Sequence, residues 1–455
     1  MELDGKKVLV LGAGKSGVTA AKFLATKGAV VALHDKKPIA EWDETARALK
    51  ETSSVGLLDG DIPSWLLDQI ELVVISPGIP STVIPARYVE RKDGEVIGEV
   101  ELAYRFMRGR IIGITGSNGK TTTTSLLGEI LKNSGIEAFV GGNIGTPLLS
   151  LVEATTENSW TVVELSSFQL ETISMFKPDI GICLNVTPNH MDRYDLFTDY
   201  AAAKNRLFMN QTTADLAILN ADDPITADWA NGLMAQVALF SISKELDEGL
   251  FLRGRELISR AGGKEKVLTT RDEMTLRGVH NVQNVLAALA AGLACGAAPD
   301  SMRETIRKFI AVEHRLEFVA NIDGVDFFND SKATSVDATL KALEAFEDDP
   351  GEVVLILGGL GKNAPYAPLV ELIEKKVRLM VLVGEDAKNI VAQLGKAADS
   401  VFAESLEEAV KVAMDNAEAG DTILLAPACA SYDMFRSYEE RGEVFKKAVN
   451  GLKSQ

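Results

Sequence analysis

The sequence predicts an α/β protein of about three domains, each built on a mainly parallel sheet. Three observations predict it. Short, continuous apolar runs recur along the chain, at residues 8–11, 111–114 and 353–357 among others. Such runs read as strands buried on both faces. Several end in a glycine-rich turn that opens a helical pattern. The 455 residues suffice for about three domains of ~150 residues, and 46% of them are apolar, enough for a core in each.

Residues 8–11 are the first strand. They run into Gly12-Ala13-Gly14-Lys15-Ser16-Gly17 and an amphipathic helix through about Lys27. A second strand, 30–33, leads to Asp35. A G-x-G-x-x-G turn with an acid 18 positions after its last glycine reads, taken alone, as a nicotinamide dinucleotide site. The glycines point to an anion-binding turn without identifying the nucleotide. A third strand, Leu72–Ile75, enters Ser76-Pro77-Gly78-Ile79-Pro80, a turn at the strand end where open α/β sheets gather ligands. A helix bearing Glu and Arg, near residues 98–108, closes this domain.

Residues 111–122 read as strand, glycine turn and helix start. The helix, 121–134, places Leu126, Leu127, Ile130 and Leu131 on one face, and Gly135 stops it. The turn Gly116-Ser117-Asn118-Gly119-Lys120-Thr121-Thr122 is a shortened phosphate loop. Ile114 stands where the usual pattern has its first glycine, and Gly116 supplies it instead. Backbone N–H groups and the helix N-terminus would cradle an anion, Lys120 would reach the outer phosphates, and the Thr121 hydroxyl is placed for Mg²⁺. Residues 140–145 form a glycine-rich turn that sets Asn143 toward a cleft. The strand 161–164 ends in Glu164, an acid of the kind that serves Mg²⁺ in phosphate-loop proteins. The strand 180–186 delivers His190, one of four histidines, in a polar loop. Lys204 reads as a solvated helix lysine.

Residues 235–278 look like short polar strands and turns, an insert. An Ala-rich helix follows from about Asn281 to Ala294, with Asn281 and Asn284 on one face. The third domain starts near Val312. Its strands are Val325–Asn329, 353–357, 379–383 and Thr422–Leu425, with polar or glycine turns at 330–335, 358–362 and 426–431. Lys332, Lys362, Arg315 and Ser431 would bind an anionic co-substrate.

Net charge is −18, which disfavours sequence-independent nucleic-acid binding. Cys183, Cys295 and Cys429 are far apart in apolar surroundings, as expected of free thiols in a reducing compartment. No signal-peptide pattern and no membrane-length apolar run occur, so a soluble cytoplasmic protein is expected. Unaided, these features read as an ATP-dependent enzyme, a ligase with small anionic substrates.

The same residues carry a resemblance. Thr115–Thr121, Glu164-Leu165-Ser166-Ser167-Phe168-Gln169-Leu170, Asn189-His190-Met191-Asp192-Arg193, His280-Asn281, His314-Arg315 and Asn329-Asp330-Ser331-Lys332-Ala333-Thr334 are similar, in order and end to end, to the Mur ligases of peptidoglycan synthesis. The resemblance implies a Rossmann-like N-terminal domain (1–98) for a UDP substrate. A central phosphate-loop ATPase-like domain (99–311) and a Rossmann-like C-terminal domain (312–455) for an amino acid would follow. Asp330–Thr334 and Ala428-Cys429-Ala430-Ser431 point to the branch that adds D-glutamate to UDP-N-acetylmuramoyl-L-alanine through an acyl phosphate. ATP and Mg²⁺ are then the implied cofactors, and a monomer without membrane insertion is expected. By resemblance, Gly116–Thr122, Asn281, Asn284, Arg315 and Asp330 bind ATP. Thr121, Glu164, His190 and Lys204 hold metal, with Lys204 as a carbamate, and Lys120, Glu164, His190 and Lys204 form the catalytic set. Gly14, Lys15, Ser16, Gly17, Asp35, Lys36, Lys37, Ser76, Pro77, Gly78 and Asn143 bind the UDP substrate, which displaces the nicotinamide reading. Lys332, Thr334, Lys362, Ser431 and Tyr438 bind D-glutamate. Leu360 and Tyr438 depart from some relatives, which carry an acid and a Phe there. The alternatives are a ligase with another acceptor, such as L-lysine, diaminopimelate or a folate, a nicotinamide-dependent oxidoreductase, and a non-catalytic nucleotide-binding module.

Overall fold

The computed structural model describes residues 1–452 apart from 53, 81, 82, 85, 92, 93, 144, 190–192, 311, 348 and 363. The chain divides into two compact units, Met1–Thr270 with Gln283–Thr305 and Arg271–Val282 with Ile306–Gln455.

The first unit holds two sheets. One has five parallel strands in the order Val55–Asp59, Val30–Asp35, Lys7–Leu11, Leu72–Ile75, Glu95–Gly98. The chain winds outward from Lys7–Leu11 in one direction and then returns to its other side, so the order reverses between Lys7–Leu11 and Leu72–Ile75. Gly12 and Ser76 lie at the carboxyl ends of these two strands, the switch point at which such sheets bind ligands. The outer strands, Val55–Asp59 and Glu95–Gly98, were not expected. Both lie at the sheet edge and are short and only partly buried, so they lack the apolar run that marks the inner strands.

The second sheet has nine strands, in the order Lys264–Thr270, Glu256–Ala261, Gly249–Arg253, Gln236–Ser241, Leu216–Asn220, Ile180–Cys183, Arg110–Thr115, Trp160–Glu164, Ala138–Gly142. From Gly249–Arg253 to Ala138–Gly142 every pairing is parallel; the last two strands at the other end run antiparallel. This corrects the reading of 235–278 as an insert, because its strands extend the central sheet. Leu250, Phe251, Leu257, Ile258 and Leu268 are buried, but short strands with Arg, Glu and Lys at their ends resemble a surface hairpin in sequence. The strand expected over 180–186 stops at Cys183. The helix Lys120–Asn133 buries Leu126, Leu127, Ile130 and Leu131 as expected. One apolar cluster, including Leu24, Leu33, Leu102, Leu148, Phe176 and Leu207, is continuous across both sheets of this unit.

The second unit is built on six strands, in the order Glu317–Ile322, Val325–Asn329, Thr422–Leu425, Val353–Gly358, Val377–Val383, Asp399–Phe402. All pairings are parallel except the first, an antiparallel edge hairpin. The helix Tyr438–Leu452 buries Arg441, Gly442, Phe445 and Val449. Among the described residues no helix is long and apolar enough to cross a membrane. All three cysteines are free, Cys183 and Cys429 being buried.

Candidate active site

The strand Arg110–Thr115 delivers the glycine loop to the helix Lys120–Asn133. Gly116 and Gly119 have φ of +151° and +84°, backbone that L side chains rarely adopt. A Cβ on Gly119 would lie 2.1 Å from Asn284 Oδ1, so Asn284 sits directly on the loop. Lys120 Nζ donates to the carbonyls of Gly116 (2.8 Å) and Ser117 (3.0 Å). The Ser117 hydroxyl serves the loop itself. It bonds both the N–H and the C=O of Thr187 at 2.9 Å and lies 3.0 Å from the Tyr200 hydroxyl. The Asn118 N–H donates to Asn185 Oδ1 at 2.9 Å. Thr121 and Thr122 are buried in the first helical turn.

Glu164, at the end of its strand, is 1% exposed. Its Oε1 accepts from Asn143 Nδ2 at 2.8 Å, whereas its buried Oε2 has no partner among the described residues. A buried carboxylate oxygen without a donor is costly unless something else satisfies it. The free Glu164 oxygen and the Thr121 hydroxyl are hard oxygen donors of the kind that would hold Mg²⁺. His190, the third expected ligand, lies outside the described residues.

Lys204 corrects its sequence reading as a solvated lysine. On the helix Phe197–Asn205 it is 1% exposed, its Nζ donates to the Gly116 carbonyl at 2.8 Å, and it lies 4.6 Å from the centre of the Tyr200 ring. Burial, and then the charge of Lys120, push its pKa down to about 7. The run Ala201-Ala202-Ala203 has no apolar stripe to mark the buried face, so nothing local signals it. Two lysines thus converge on one carbonyl at the glycine turn. The site suits a polyanion, and a protonated Lys204 cannot ligate a metal.

At the N-terminal switch point the two turns pack tightly. A Cβ on Gly17 would lie 1.8 Å from the Gly12 carbonyl oxygen, and one on Gly12 would lie 2.8 Å from Ser76 Oγ. Gly14–Gly17 and Ser76 are therefore brought together. Asp35 Oδ2 accepts from the Ala13 N–H (2.9 Å) and Oδ1 from the Lys37 N–H (3.1 Å). Burial alone would raise its pKa, but these N–H groups outweigh burial and hold it below the usual value. Asp35 thus shapes the glycine turn. Lys36, Lys37 and Gly78 are exposed, and Ser16 is half-buried in the first helical turn. The Pro77 carbonyl accepts from Arg193 at 3.4 Å. Lys15 Nζ donates to the Gly145 carbonyl, beside the turn that carries Asn143. The Asn143 side-chain amide is bonded to Glu164.

In the second unit the acceptor candidates gather at the carboxyl ends of three neighbouring strands. Lys332 Nζ stands 3.7 Å from the Tyr438 ring centre, Lys362 Nζ donates to Thr334 Oγ1 at 3.4 Å, and Ser431 is buried. The Ala428 N–H, at a residue with φ +60°, donates to the Ala333 carbonyl at 2.9 Å, joining two of the loops. Leu360 pairs with Ala430 through backbone bonds of 2.9 and 3.0 Å. Arg315 is flanked by His314 and Leu316, with φ of +63° and +43°. Burial pushes the Asp330 carboxyl up to about 7 against the Arg315 charge and the Leu316 N–H. Asn281 Nδ2 donates to the Arg277 carbonyl at 2.6 Å. Arg441 was missed by sequence reasoning, since an arginine in a charged helix gives no sign of burial.

Family models match most of the chain in three pieces. A Mur ligase MurD-like N-terminal domain covers residues 6–98, a Mur ligase middle domain 114–292, and a Mur ligase glutamate ligase domain 314–429. The chain is 48% identical to a UDP-N-acetylmuramoylalanine--D-glutamate ligase of Solibacter usitatus, covering 99% of each, and 45% identical to that of Koribacter versatilis, covering 100% and 99%. Among solved structures it resembles the MurF ligase of Thermotoga maritima in complex with ADP (TM-score 0.63, 17% identity, 99% and 96% covered). It also resembles the UDP-N-acetylmuramate-alanine ligase MurC of the same organism (TM-score 0.61, 19% identity, 99% of each). These two likenesses concern the fold. The glycine turn at the central sheet, the switch-point turns and the full-length relatives lead to one conclusion: the chain belongs to the Mur ligase family.

Proposed function

We propose that this protein is an ATP-dependent ligase that joins D-glutamate to UDP-N-acetylmuramoyl-L-alanine, a cytoplasmic step of peptidoglycan synthesis. The observation that carries the reading is the convergence of Lys120 and Lys204 on the Gly116 carbonyl, beside the unsatisfied Oε2 of Glu164. The acceptor follows from the relatives' names together with the cation cluster around Lys332 and Lys362.

The alanyl carboxylate of the UDP substrate is a poor electrophile. Transfer of the γ-phosphoryl group of ATP to one of its oxygens makes an acyl phosphate. The D-glutamate amine then attacks the carbonyl carbon, loses a proton, and phosphate leaves with the transferred oxygen. The protein's part is positioning and charge neutralisation. Lys120 and the Gly116–Thr122 backbone hold the ATP phosphates, while Asn281, Asn284, Arg315 and Asp330 bind the rest of the nucleotide. Thr121, Glu164, His190 and Lys204 are the residues for Mg²⁺, which supplies positive charge at the phosphates when bound. Lys204 serves there as a carbamate, formed when its neutral amine adds carbon dioxide and releases a proton. Its lowered pKa makes that neutral form accessible near pH 7. Gly14–Gly17, Asp35–Lys37, Ser76–Gly78 and Asn143 bind the UDP substrate, and Lys332, Thr334, Lys362, Ser431 and Tyr438 bind D-glutamate. These roles divide the chain at 1–98, 99–311 and 312–455, and we take it to act as a monomer.

Phosphate release from ATP with UDP-N-acetylmuramoyl-L-alanine tests this reading. Release is expected to require D-glutamate and to stay at background with L-glutamate. Equal release with L-glutamate, or release with L-lysine but not D-glutamate, would overturn the acceptor assignment.

A further inference from the structure

Among the described residues the largest fully buried side chain is Arg441, 2% exposed, in the first turn of the helix Tyr438–Leu452. No described carboxylate pairs with it. Instead its guanidinium is spread over two loops. Nε donates to Ser331 Oγ (3.0 Å), Nη2 to the carbonyls of Ser331 (2.9 Å) and Cys429 (3.1 Å), and Nη1 to the Ala430 carbonyl (3.4 Å). A third loop also rests on it, since a Cβ on Gly359 would come 3.2 Å from Nη1. Ser331 Oγ in turn donates to the Tyr438 carbonyl at 2.8 Å, tying the helix start into the same node.

A guanidinium buried with no carboxylate bonded to it is expensive; burial lowers its pKa to about 10 even though Cys429 and Asp433 oppose the shift. Packing alone does not require such a group, because an apolar side chain of similar volume would fill the space at less cost. What an apolar side chain could not do is donate in a fixed planar fork to carbonyls of two separate loops. Those loops, and the one against Nη1, carry the groups assigned to the incoming amino acid: Lys332 and Thr334 next to Ser331, Ser431 next to Ala430, Lys362 beyond Gly359, and Tyr438 on the helix itself.

We propose that Arg441 is the positioning residue of the acceptor site, setting the spacing of the Lys332, Lys362 and Ser431 loops and hence amino-acid affinity, without touching the ligand. The inference rests on the D-glutamate reading above. Carbonyls and a hydroxyl take its hydrogen bonds, and the Cys429 and Asp433 side chains act on its charge without a hydrogen bond to it, so its loss loosens the loops without removing any group assigned to the substrate.

The test is a steady-state comparison of the wild type with Arg441→Lys, Arg441→Met and Ser331→Ala, each of the three substrates being varied in turn. Arg441→Lys keeps the charge but reaches fewer acceptors. It is expected to raise the D-glutamate KM ~10-fold, the scale of one or two lost charge-assisted bonds, and Arg441→Met more. The KM values for ATP and for UDP-N-acetylmuramoyl-L-alanine should stay within about twofold, and kcat at saturating D-glutamate should be largely retained. Ser331→Ala removes one bond and leaves no charge stranded, so it should fold and shift the D-glutamate KM in the same direction by less. It decides the matter if the Arg441 variants do not fold. A wild-type D-glutamate KM in Ser331→Ala and Arg441→Lys, or a parallel rise in all three KM values, would overturn the inference. Wild-type turnover independent of D-glutamate would instead overturn the functional reading beneath it.

Discussion

Replacing Lys120 by alanine is expected to cut ATP-dependent phosphate release by ~10²–10³, the usual effect of deleting one preorganised charged donor at a phosphoryl-transfer site. The protein should remain folded. The Lys120 ammonium donates to the Gly116 and Ser117 carbonyls, and Gly116 keeps the bond from Lys204 when Lys120 is removed. Its charge also lowers the Lys204 pKa, so its removal should move Lys204 back toward the ordinary lysine range. Activity would then fall while the thermal midpoint holds or rises. Near-normal kcat in Lys120→Ala would remove the phosphate-loop assignment.

Lys204→Ala should be as severe, but repairable. Taking away a buried ammonium, or the carbamate proposed in its place, leaves a cavity beside the glycine turn. If a carbamate acts there, acetate or propionate added to the variant supplies a carboxylate at the vacated position and should restore much of the turnover. No rescue by any short carboxylic acid would count against the carbamate. The unmodified lysine also predicts a pH effect on stability. Its folded-state pKa, about 7, is below the ordinary 10.5, so between these values the unfolded chain binds the extra proton. In carbon dioxide-free buffer the cost of burying the charge is full below pH 7. Stability should rise from pH 7 to 10.5 by up to ~1.4 kcal/mol per pH unit, and Lys204→Ala should lose that dependence. A flat profile in the wild type would show that Lys204 is not held in this environment.

Much of the fold was legible because buried parallel strands advertise themselves. The runs at residues 8–11 and 353–357 have no polar interruption, and glycine turns at their ends mark the binding edge of each sheet. The phosphate loop and the Gly12–Gly17 turn were legible for the same reason, since local backbone geometry selects glycine there. Edge elements were less readable. Val55–Asp59 and the strands of 235–278 mix exposed and buried residues without a clean period, so the side that packs on the sheet is not marked in the sequence. The least legible features were buried cations. Lys204 and Arg441 sit on helices whose sequence looks solvated, and only the tertiary structure places the Gly116 carbonyl beside one and three loop carbonyls around the other.

The claim on which the account depends is that the alanyl carboxylate is activated as an acyl phosphate, and oxygen transfer reads this directly. UDP-N-acetylmuramoyl-L-alanine labelled with ¹⁸O in its terminal carboxylate would be turned over with ATP and D-glutamate, and the released phosphate analysed by mass. The account predicts one ¹⁸O in each phosphate, because the attacking carboxylate oxygen leaves with phosphorus when the amine displaces it. Unlabelled phosphate formed together with the amide product would contradict it, showing that ATP cleavage takes its oxygen from water and that the carboxylate is never phosphorylated.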